Sequence, residues 1–142
     1  MSRQRVARMS ARVFRVGRSM TGLGLFAAKA IERGDTIATY RGPRIPNEEA
    51  DRREARGARY MFTIDARWTI DGSPRWNKAR YINHACKPNA KTVLRNGRIV
   101  VVALRRIEMD EEITYDYGQE YLDLFFKRGC RCATCRARKR DR

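Results

Sequence analysis

Histidine is almost absent from this chain, and its scarcity excludes several kinds of enzyme site. Only His84 occurs in 142 residues. A serine or cysteine hydrolase normally needs a histidine base beside its nucleophile, and a zinc protease needs two histidines on one helix. Apolar stretches of about 18 residues are also absent, so the sequence predicts no membrane-spanning helix. The basic N-terminus lacks the apolar segment of a secretory signal, and we expect no export by that route.

Acidic residues are half as numerous as basic ones, and the basic excess lies at the two ends. The 16 Asp and Glu residues face 32 Lys and Arg residues, giving a net charge of +16. Residues 1–20 hold six arginines and no acid, and residues 127–142 hold eight basic residues against Asp141. Such cationic arms favour acidic partners, here DNA or a nucleosome, although they can also serve solubility alone. The bias of 26 arginines to six lysines favours a GC-rich bacterial source and a cytoplasmic location.

The pattern of short apolar segments predicts one mostly β domain. Strands are expected at five places, residues 13–16, 36–40, 60–65, 68–72 and 113–118. Asn96-Gly97 predicts a hairpin turn within residues 92–104. The one helix of useful length is expected from Pro46 to Arg59, with Asn47 as its cap, and a short helix is expected over 121–127.

Cysteine is scarce too, but the four cysteines are unevenly placed. Cys130, Cys132 and Cys135 lie within six residues, and Cys86 stands far upstream. Four thiols complete a tetrahedral zinc site, and the arginines around the C-terminal three favour thiolates. Disulfides would need an oxidising compartment. We therefore predict one structural zinc, which would hold the C-terminal segment against the region of Cys86.

The lone histidine lies in the most unusual stretch of the chain, Arg80-Tyr81-Ile82-Asn83-His84-Ala85-Cys86-Lys87-Pro88-Asn89. An apolar pair runs into a polar, turn-prone segment that offers amide, imidazole and thiol groups close together. Taken alone, this pattern is equally compatible with a strand followed by an ordinary turn. Gly22 and Gly24 allow a tight turn or a close backbone approach to a ligand, but the third glycine of a dinucleotide-binding pattern is missing.

Three segments occur in order along the chain: Gly22–Phe26, Arg80–Asn89 and Glu111-Glu112-Ile113-Thr114-Tyr115-Asp116-Tyr117-Gly118. With the cysteine cluster behind them, they resemble the SET-domain protein lysine methyltransferases that carry a zinc-binding post-SET segment. The resemblance implies a SET fold, which is a mostly β fold of short β-sheets with a C-terminal pseudoknot and few short helices. It also implies three regions: a basic N-terminal arm (1–11), a SET domain (12–120), and a post-SET zinc segment with a basic tail (121–142).

The resemblance further implies a set of site residues, carried over position by position. S-adenosylmethionine would be the methyl donor. The residues expected to bind it are Thr21, Gly22, Leu23, Gly24, Tyr60, Arg80, Asn83 and His84. Tyr117 matches the catalytic tyrosine, and Tyr40 and Tyr115 match aromatic residues of the channel for the substrate lysine. The zinc ligands would be Cys86, Cys130, Cys132 and Cys135. Tyr121 or Phe125 is expected to cover the adenine.

These features predict an S-adenosylmethionine-dependent protein lysine N-methyltransferase that acts on a histone tail or a basic DNA-associated protein. Tyrosine at position 115 predicts mainly monomethylation. A free lysine has a pKa of about 10.4, so its deprotonation near neutral pH costs about 4 kcal/mol. No second histidine is available as a base, and we expect the donor's positive charge and an apolar channel to lower that pKa.

Two alternatives accompany this prediction. The alternative function is a catalytically silent SET module that binds chromatin or another acidic partner. The alternative location is the nucleus or chromatin, including that of a host-directed effector.

Overall fold

The computed structural model describes residues 13–127 and 129–140 and is dominated by short strands. The strands are β1 (Phe14–Ser19), β2 (Gly22–Ala27), β3 (Thr36–Tyr40), β4 (Arg44–Pro46), β5 (Met61–Thr63), β6 (Trp68–Asp71), β7 (Asn83–His84), β8 (Ala90–Arg95), β9 (Arg98–Ala103) and β10 (Glu112–Tyr115). The helices within these residues are α1 (Asn47–Ala55), α2 (Gln119–Phe125), α3 (Ala133–Arg140) and a 3-10 helix (Lys78–Tyr81). This composition confirms the predicted mostly β class. None of the described helices has the length and apolarity to cross a bilayer.

A four-stranded sheet in the order β1-β2-β10-β7 brings the three distant sequence segments together. β1 and β2 form an antiparallel hairpin, and β10 adds antiparallel to β2. β7 then pairs parallel to β10, with Asn83 opposite Thr114 and His84 opposite Tyr115. Parallel neighbours need a long crossover, which here contains β8 and β9. The second and third segments of the motif therefore become adjacent strands.

The remaining strands form two three-stranded sheets, β3-β9-β8 and β4-β6-β5. The predicted hairpin turn is confirmed, because Asn96 and Gly97 both have positive φ (50° and 74°) between β8 and β9. Asn89, which is 3% exposed, joins this sheet to the first. Its side chain accepts the backbone N–H of Thr114 (2.9 Å) and donates to the carbonyl of Glu112 (2.7 Å). The last residue of the Arg80–Asn89 stretch thus fixes the position of β10.

The core lies where the sheets face one another. Its largest sealed apolar side chains, each at most 2% exposed, are Leu25, Ile82, Ile99, Val101, Ile107 and Ile113. Burying a large aliphatic side chain contributes about 1.5–3 kcal/mol. Three of the six belong to the three motif segments, so the strands that carry the candidate site are also anchored in the core.

Helix α1 is shorter than predicted, and Asn47 is not its cap. Pro46 occupies the capping position in an extended conformation (φ −62°, ψ 147°), and no side chain caps the helix. The Asn47 amide instead donates to the carbonyl of Asp65 (3.0 Å) and accepts the Thr69 hydroxyl (2.7 Å). The helix stops before Gly57, whose φ of 96° ends the helical path.

Strand β2 was not predicted from the sequence, and another strand ends earlier than predicted. β2 contains both Gly22 and Gly24, and the tight turn lies before it at residues 20–21. The strand predicted over 113–118 ends at Tyr115, so Tyr117 lies beyond it. The N-terminal arm (1–11) falls outside the described residues, and the division into arm, SET domain and post-SET tail stays a prediction.

Candidate active site

A cleft with a volume of about 1230 Å³ runs between two structurally different walls. The strand wall is formed by residues of the four-stranded sheet and its turns: Ser19, Thr21, Leu23, Asn83, Glu112 and Thr114. The tail wall is formed by residues within 121–127 and 129–134, including Tyr121, Phe125, Phe126, Cys130 and Cys132. Tyr60, Arg80, His84 and Tyr117 also line the cleft. Its size suits a ligand of the dimensions of a nucleoside cofactor.

The two glycines of the first motif have different roles. Gly22 adopts a φ of 118° at the start of β2, a conformation that side-chain-bearing residues rarely adopt. Gly24 has no such requirement. A Cβ atom there would lie 2.5 Å from Oε2 of Glu112, so its missing side chain lets Glu112 approach the backbone. Neither glycine lines the cleft itself, whereas Thr21 and Leu23 do.

Asn83 is held by two acceptors on the strand wall. Its Nδ2 donates to the carbonyl of Leu23 (3.0 Å) and to Oε2 of Glu112 (2.8 Å). Both partners can only accept, so the amide nitrogen must point toward them and the amide oxygen away. Within the described residues Oδ1 makes no hydrogen bond, and it is not sealed from solvent. Asn83 therefore presents an acceptor from the side of the cleft.

His84 is buried, and both of its ring nitrogens face protein partners. Nδ1 accepts the backbone N–H of Tyr117 (3.1 Å), and Nε2 lies 3.4 Å from Sγ of Cys86. Burial lowers the pKa of His84, and Asp116, 3.6 Å away, partly opposes that effect. The imidazole is thus neutral with its proton on Nε2. It links the backbone of the predicted catalytic residue to a predicted zinc ligand, and it has no free nitrogen for base catalysis.

Tyr117 is surrounded by aromatic rings. Its ring centroid lies 4.9 Å from Tyr121, 5.1 Å from Tyr115 and 5.4 Å from His84. Its hydroxyl donates to the carbonyl of Ile82. Burial, followed by the neighbouring tyrosines, raises the pKa of Tyr117 above its ordinary value, so the phenol stays protonated at physiological pH.

The two predicted channel residues are buried behind Tyr117. The Tyr40 hydroxyl donates to the carbonyl of Tyr60 (2.8 Å), and its ring packs on Phe62 at 5.3 Å. Tyr115 is 8% exposed, and burial raises its pKa. Within the described residues the Tyr115 hydroxyl makes no hydrogen bond, yet its oxygen is not among the fully buried atoms that lack a partner. Strand β10 ends at Tyr115, so Tyr117 lies beyond it, although the two rings lie 5.1 Å apart.

Arg80 has a buried side-chain nitrogen that lacks a hydrogen-bond partner among the described residues. Its guanidinium stacks 4.1 Å from the ring centroid of Tyr60 and 5.1 Å from that of Tyr81. Its Nε is the one sealed side-chain polar atom in the described part of the chain that has no partner. Sealed donors are normally satisfied, so Arg80 is unusual among the residues that line the cleft.

Helix α2 supplies the aromatic part of the tail wall. The Tyr121 and Phe125 rings lie 4.6 Å apart, and the Arg59 guanidinium sits 5.2 Å from the Phe125 ring. Burial raises the pKa of Tyr121 to about 12. No residue of α2 is fully buried, so aromatic contacts across the cleft hold this helix in place.

The four cysteines come together, as the zinc prediction requires. Their Sγ atoms all lie within 4.8 Å of one another, with Cys86 3.9 Å from Cys130 and 3.6 Å from Cys135. A tetrahedral ion with Zn–S bonds of about 2.3 Å separates its sulfurs by about 3.8 Å, so the cluster fits zinc. Burial would raise the pKa of Cys132, but hydrogen bonds from backbone and neighbouring thiols lower it to about 6. Burial and the adjacent thiols raise the pKa of Cys86.

Sequence reasoning overlooked three residues that shape this site. Glu112 and Ser19 lie on the strand wall, where the Ser19 hydroxyl donates to Oε1 of Glu112 (2.8 Å). Phe126 packs 6.0 Å from the His84 ring on the tail side. Glu112 stands inside the third motif, but only the pairing of β2 with β10 reveals what it touches.

Comparison with known proteins assigns the family. The model of the SET domain matches residues 22–118, well over half of the chain. The chain therefore belongs to the SET-domain family, a family of methyltransferase domains.

The similar proteins are named as histone-modifying enzymes. Histone-lysine N-methyltransferase trithorax of Drosophila melanogaster is 40% identical over 127 residues, which cover 83% of this chain and 3% of that protein. Human histone-lysine N-methyltransferase 2D is 40% identical over 128 residues, covering 83% of this chain and 2% of its own length. The H3 lysine-4 specific histone-lysine N-methyltransferase of Aspergillus oryzae is 44% identical over 107 residues, covering 68% and 9%. The chain thus corresponds to a small part of each of these relatives.

Proposed function

We propose that this chain transfers a methyl group from S-adenosylmethionine to a lysine side chain of a protein, with a histone as the favoured substrate. The observation that carries the proposal is the convergence on one cleft of Asn83, Arg80 and the aromatic surroundings of Tyr117. The names of the relatives support the reaction and the substrate class.

The residues of the cleft fit the donor. When bound, S-adenosylmethionine supplies a sulfonium-activated methyl group, an ammonium, a carboxylate and an adenine. The accessible Oδ1 of Asn83 suits the ammonium, and the guanidinium of Arg80, which lines the cleft, suits an anionic or carbonyl oxygen. Tyr121 and Phe125 offer ring faces for the adenine. Both ring nitrogens of His84 are occupied, so we assign it an orienting role rather than a direct hydrogen bond through its ring.

Tyr117 is assigned the role of orienting the substrate amine. Because its hydrogen is directed to the carbonyl of Ile82, the oxygen lone pairs remain free to accept an N–H. Its raised pKa makes it a poor base, and His84 has no free nitrogen. Deprotonation of the lysine then depends on desolvation among tyrosines and on nearby positive charge, and positioning supplies much of the rate.

The four-cysteine cluster is assigned a structural zinc. Zinc with four protein ligands has no open position, so it would not act as a Lewis acid on the substrate. Its role would be to fix residues 130–135 to Cys86 and so to hold the tail wall over the cleft.

Partners and location follow from the proposed reaction. The name of the Aspergillus relative makes lysine 4 of histone H3 the first lysine to test. DNA or nucleosome contact is proposed through the basic ends and is further supported by the tip of the β8–β9 hairpin. There Arg95 faces Arg98 across the strands, Arg44 reaches the carbonyl of Gly97, and none of the three arginines forms an ion pair within the described residues. Chromatin is the location this favours. The three relatives come from a fly, human and a fungus and give a bacterial cytoplasm no support.

We further propose that monomethyl-lysine is the main product. The unpartnered hydroxyl of Tyr115, beside Tyr117, can hold the amine or a water against it. A second methyl group would have to displace that contact.

The test is transfer of radiolabelled methyl from S-adenosylmethionine to purified histones and to whole-cell lysate, followed by mapping of the modified lysine. We expect labelled protein with the unaltered chain and at most one-tenth of the label with Tyr117→Phe. Tight donor binding without any label on histones or lysate would instead favour the catalytically silent module.

A further inference from the structure

Glu112 occupies a position that the proposed reaction does not use. Its two carboxylate oxygens each accept one hydrogen bond, Oε1 from the Ser19 hydroxyl (2.8 Å) and Oε2 from the Asn83 amide (2.8 Å). Within the described residues it forms no ion pair, although this chain carries twice as many basic as acidic residues. Its carboxylate therefore has only neutral hydrogen-bond partners among the described residues.

The carboxylate of Glu112 fits here because the nearby position on β2 is a glycine. Gly24 on the neighbouring strand would bring a Cβ atom to 2.5 Å from Oε2 of Glu112 and 3.1 Å from Nδ2 of Asn83. Ser19, at the end of β1, fixes the other oxygen from the hairpin partner strand. All four strands of this sheet therefore converge on the Glu112–Asn83 contact.

The contact determines which way the Asn83 amide points. An asparagine amide can rotate by 180° and exchange its donor and acceptor ends. A carboxylate accepts only, so Glu112 together with the Leu23 carbonyl forces Nδ2 inward and leaves Oδ1 as the free end. A glutamine at position 112 could donate as well as accept and would no longer enforce that choice.

We propose that Glu112 is a positioning residue for donor binding: it locks the Asn83 amide so that Oδ1 receives the ammonium of S-adenosylmethionine. This inference rests on the proposed function. Glu112 itself need not touch the donor, and its effect should pass through Asn83.

The test is calorimetric titration of S-adenosylmethionine and its neutral-sulfur product S-adenosylhomocysteine into four proteins: the unaltered chain, Glu112→Gln, Asn83→Ala and the double variant. We expect Glu112→Gln to raise both dissociation constants about tenfold, while kcat at saturating donor changes less than twofold. In the Asn83→Ala background the same change should have no further effect. Both ligands carry the ammonium, so both should lose affinity equally.

Three results would overturn the inference. These are unchanged donor affinity in Glu112→Gln, an equal additional loss in the Asn83→Ala background, and loss confined to S-adenosylmethionine, which would mean direct attraction of the sulfonium charge. If Glu112→Gln does not fold, Ser19→Ala replaces it, with an expected threefold loss for both ligands, and no loss overturns the inference. Failure of the unaltered chain to bind either ligand would instead refute the proposed function.

Discussion

The two walls of the cleft differ in what holds them. The strand wall grows out of a four-stranded sheet whose Leu25 and Ile113 are completely buried. In the tail wall, helix α2 has no fully buried residue. Aromatic contacts and, separately, the cluster of four cysteine thiols connect this wall to the rest of the chain. One wall is therefore part of the folding core, and the other is connected to it through aromatic contacts and the cysteine cluster.

This difference predicts that substitutions in the two walls change different quantities: the free energy of unfolding for the strand wall and ligand affinity for the tail wall. Apolar burial is the main favourable contribution to folding. The buried core includes Leu25 and Ile113 of the sheet that carries the strand wall but no residue of α2. Segments with few buried contacts open at low free-energy cost, which is where ligand-dependent closure is expected. Damage to the strand wall should unfold the protein, whereas damage to the tail wall should weaken ligand binding in a protein that stays folded.

The largest effect is expected from truncating the core of the strand wall. Ile113→Ala removes a completely buried side chain and should lower the free energy of unfolding by about 2–5 kcal/mol. The matched control on the tail wall is Leu124→Ala, where the side chain is 52% exposed and the change should stay within about 0.5 kcal/mol. Urea denaturation monitored by circular dichroism measures both. Equal losses would mean that the two walls share one core.

The second-largest expected effect is a loss of donor affinity when the predicted zinc site that holds the tail wall is disrupted. Metal analysis of protein purified without chelator should find one zinc per chain. Cys132→Ser removes one of the four thiols and should raise the dissociation constant of the donor by about tenfold, or about 1.4 kcal/mol, because the tail wall is no longer fixed to Cys86. The midpoint of urea denaturation should change much less than after Ile113→Ala, because the core of the sheet is intact. Finding no zinc, or donor affinity that survives the loss of Cys132, would contradict the coupling of metal to cleft.

Tyr117 lies between the two walls, and its hydroxyl should matter for turnover. Tyr117→Phe keeps the ring contacts with Tyr121 and His84 but removes one hydroxyl, which is commonly worth about 1–2 kcal/mol, so kcat should fall about tenfold. Donor affinity should change less. Unchanged kcat would remove Tyr117 from the mechanism.

The pH dependence supplies a control for the Tyr117 prediction. The folded-state pKa of Tyr117 is raised, so its phenol stays protonated throughout the neutral and mildly alkaline range and contributes no step to the profile. Turnover should rise with pH as the substrate amine loses its proton, and Tyr117→Phe should give a lower profile of the same shape. A descending limb present in the unaltered enzyme and absent from the variant would show that the phenol titrates after all.

The smallest effect concerns product distribution. Tyr115→Phe removes a hydroxyl beside Tyr117 and leaves space for further methyl groups, so di- and trimethyl-lysine should increase while total turnover stays within a few-fold. Mass spectrometry of a histone peptide after single encounters measures this. Mostly trimethyl product from the unaltered enzyme would refute the monomethyl proposal.

The sequence predicted those parts of the site whose residue types allow few other uses. Four thiols have few structural uses in such spacing, and Asn96-Gly97 has one preferred turn, so the cysteine cluster and the hairpin appear as expected. Glu112 escaped prediction because its partner Ser19 is 93 residues away and only strand pairing joins them.

Two other features of the fold differ from the sequence prediction, each for its own reason. Asn47 has the right residue type for a cap, but its amide is occupied by the β5–β6 turn and by Thr69, so Pro46 takes the capping position. Helix α3 was not predicted, because its basic sequence has no apolar periodicity. What binds at the cleft depends on such tertiary choices more than on local propensity.

The parallel pairing of β7 with β10 has a kinetic consequence. Each strand contributes two paired residues, Asn83 with Thr114 and His84 with Tyr115, and the intervening chain must first form its own hairpin. Contacts of such sequence separation, backed by so few backbone hydrogen bonds, are entropically costly and form late. A partly folded or newly synthesised chain should therefore possess the β8–β9 hairpin before the β7–β10 pair, and so before the assembled cleft.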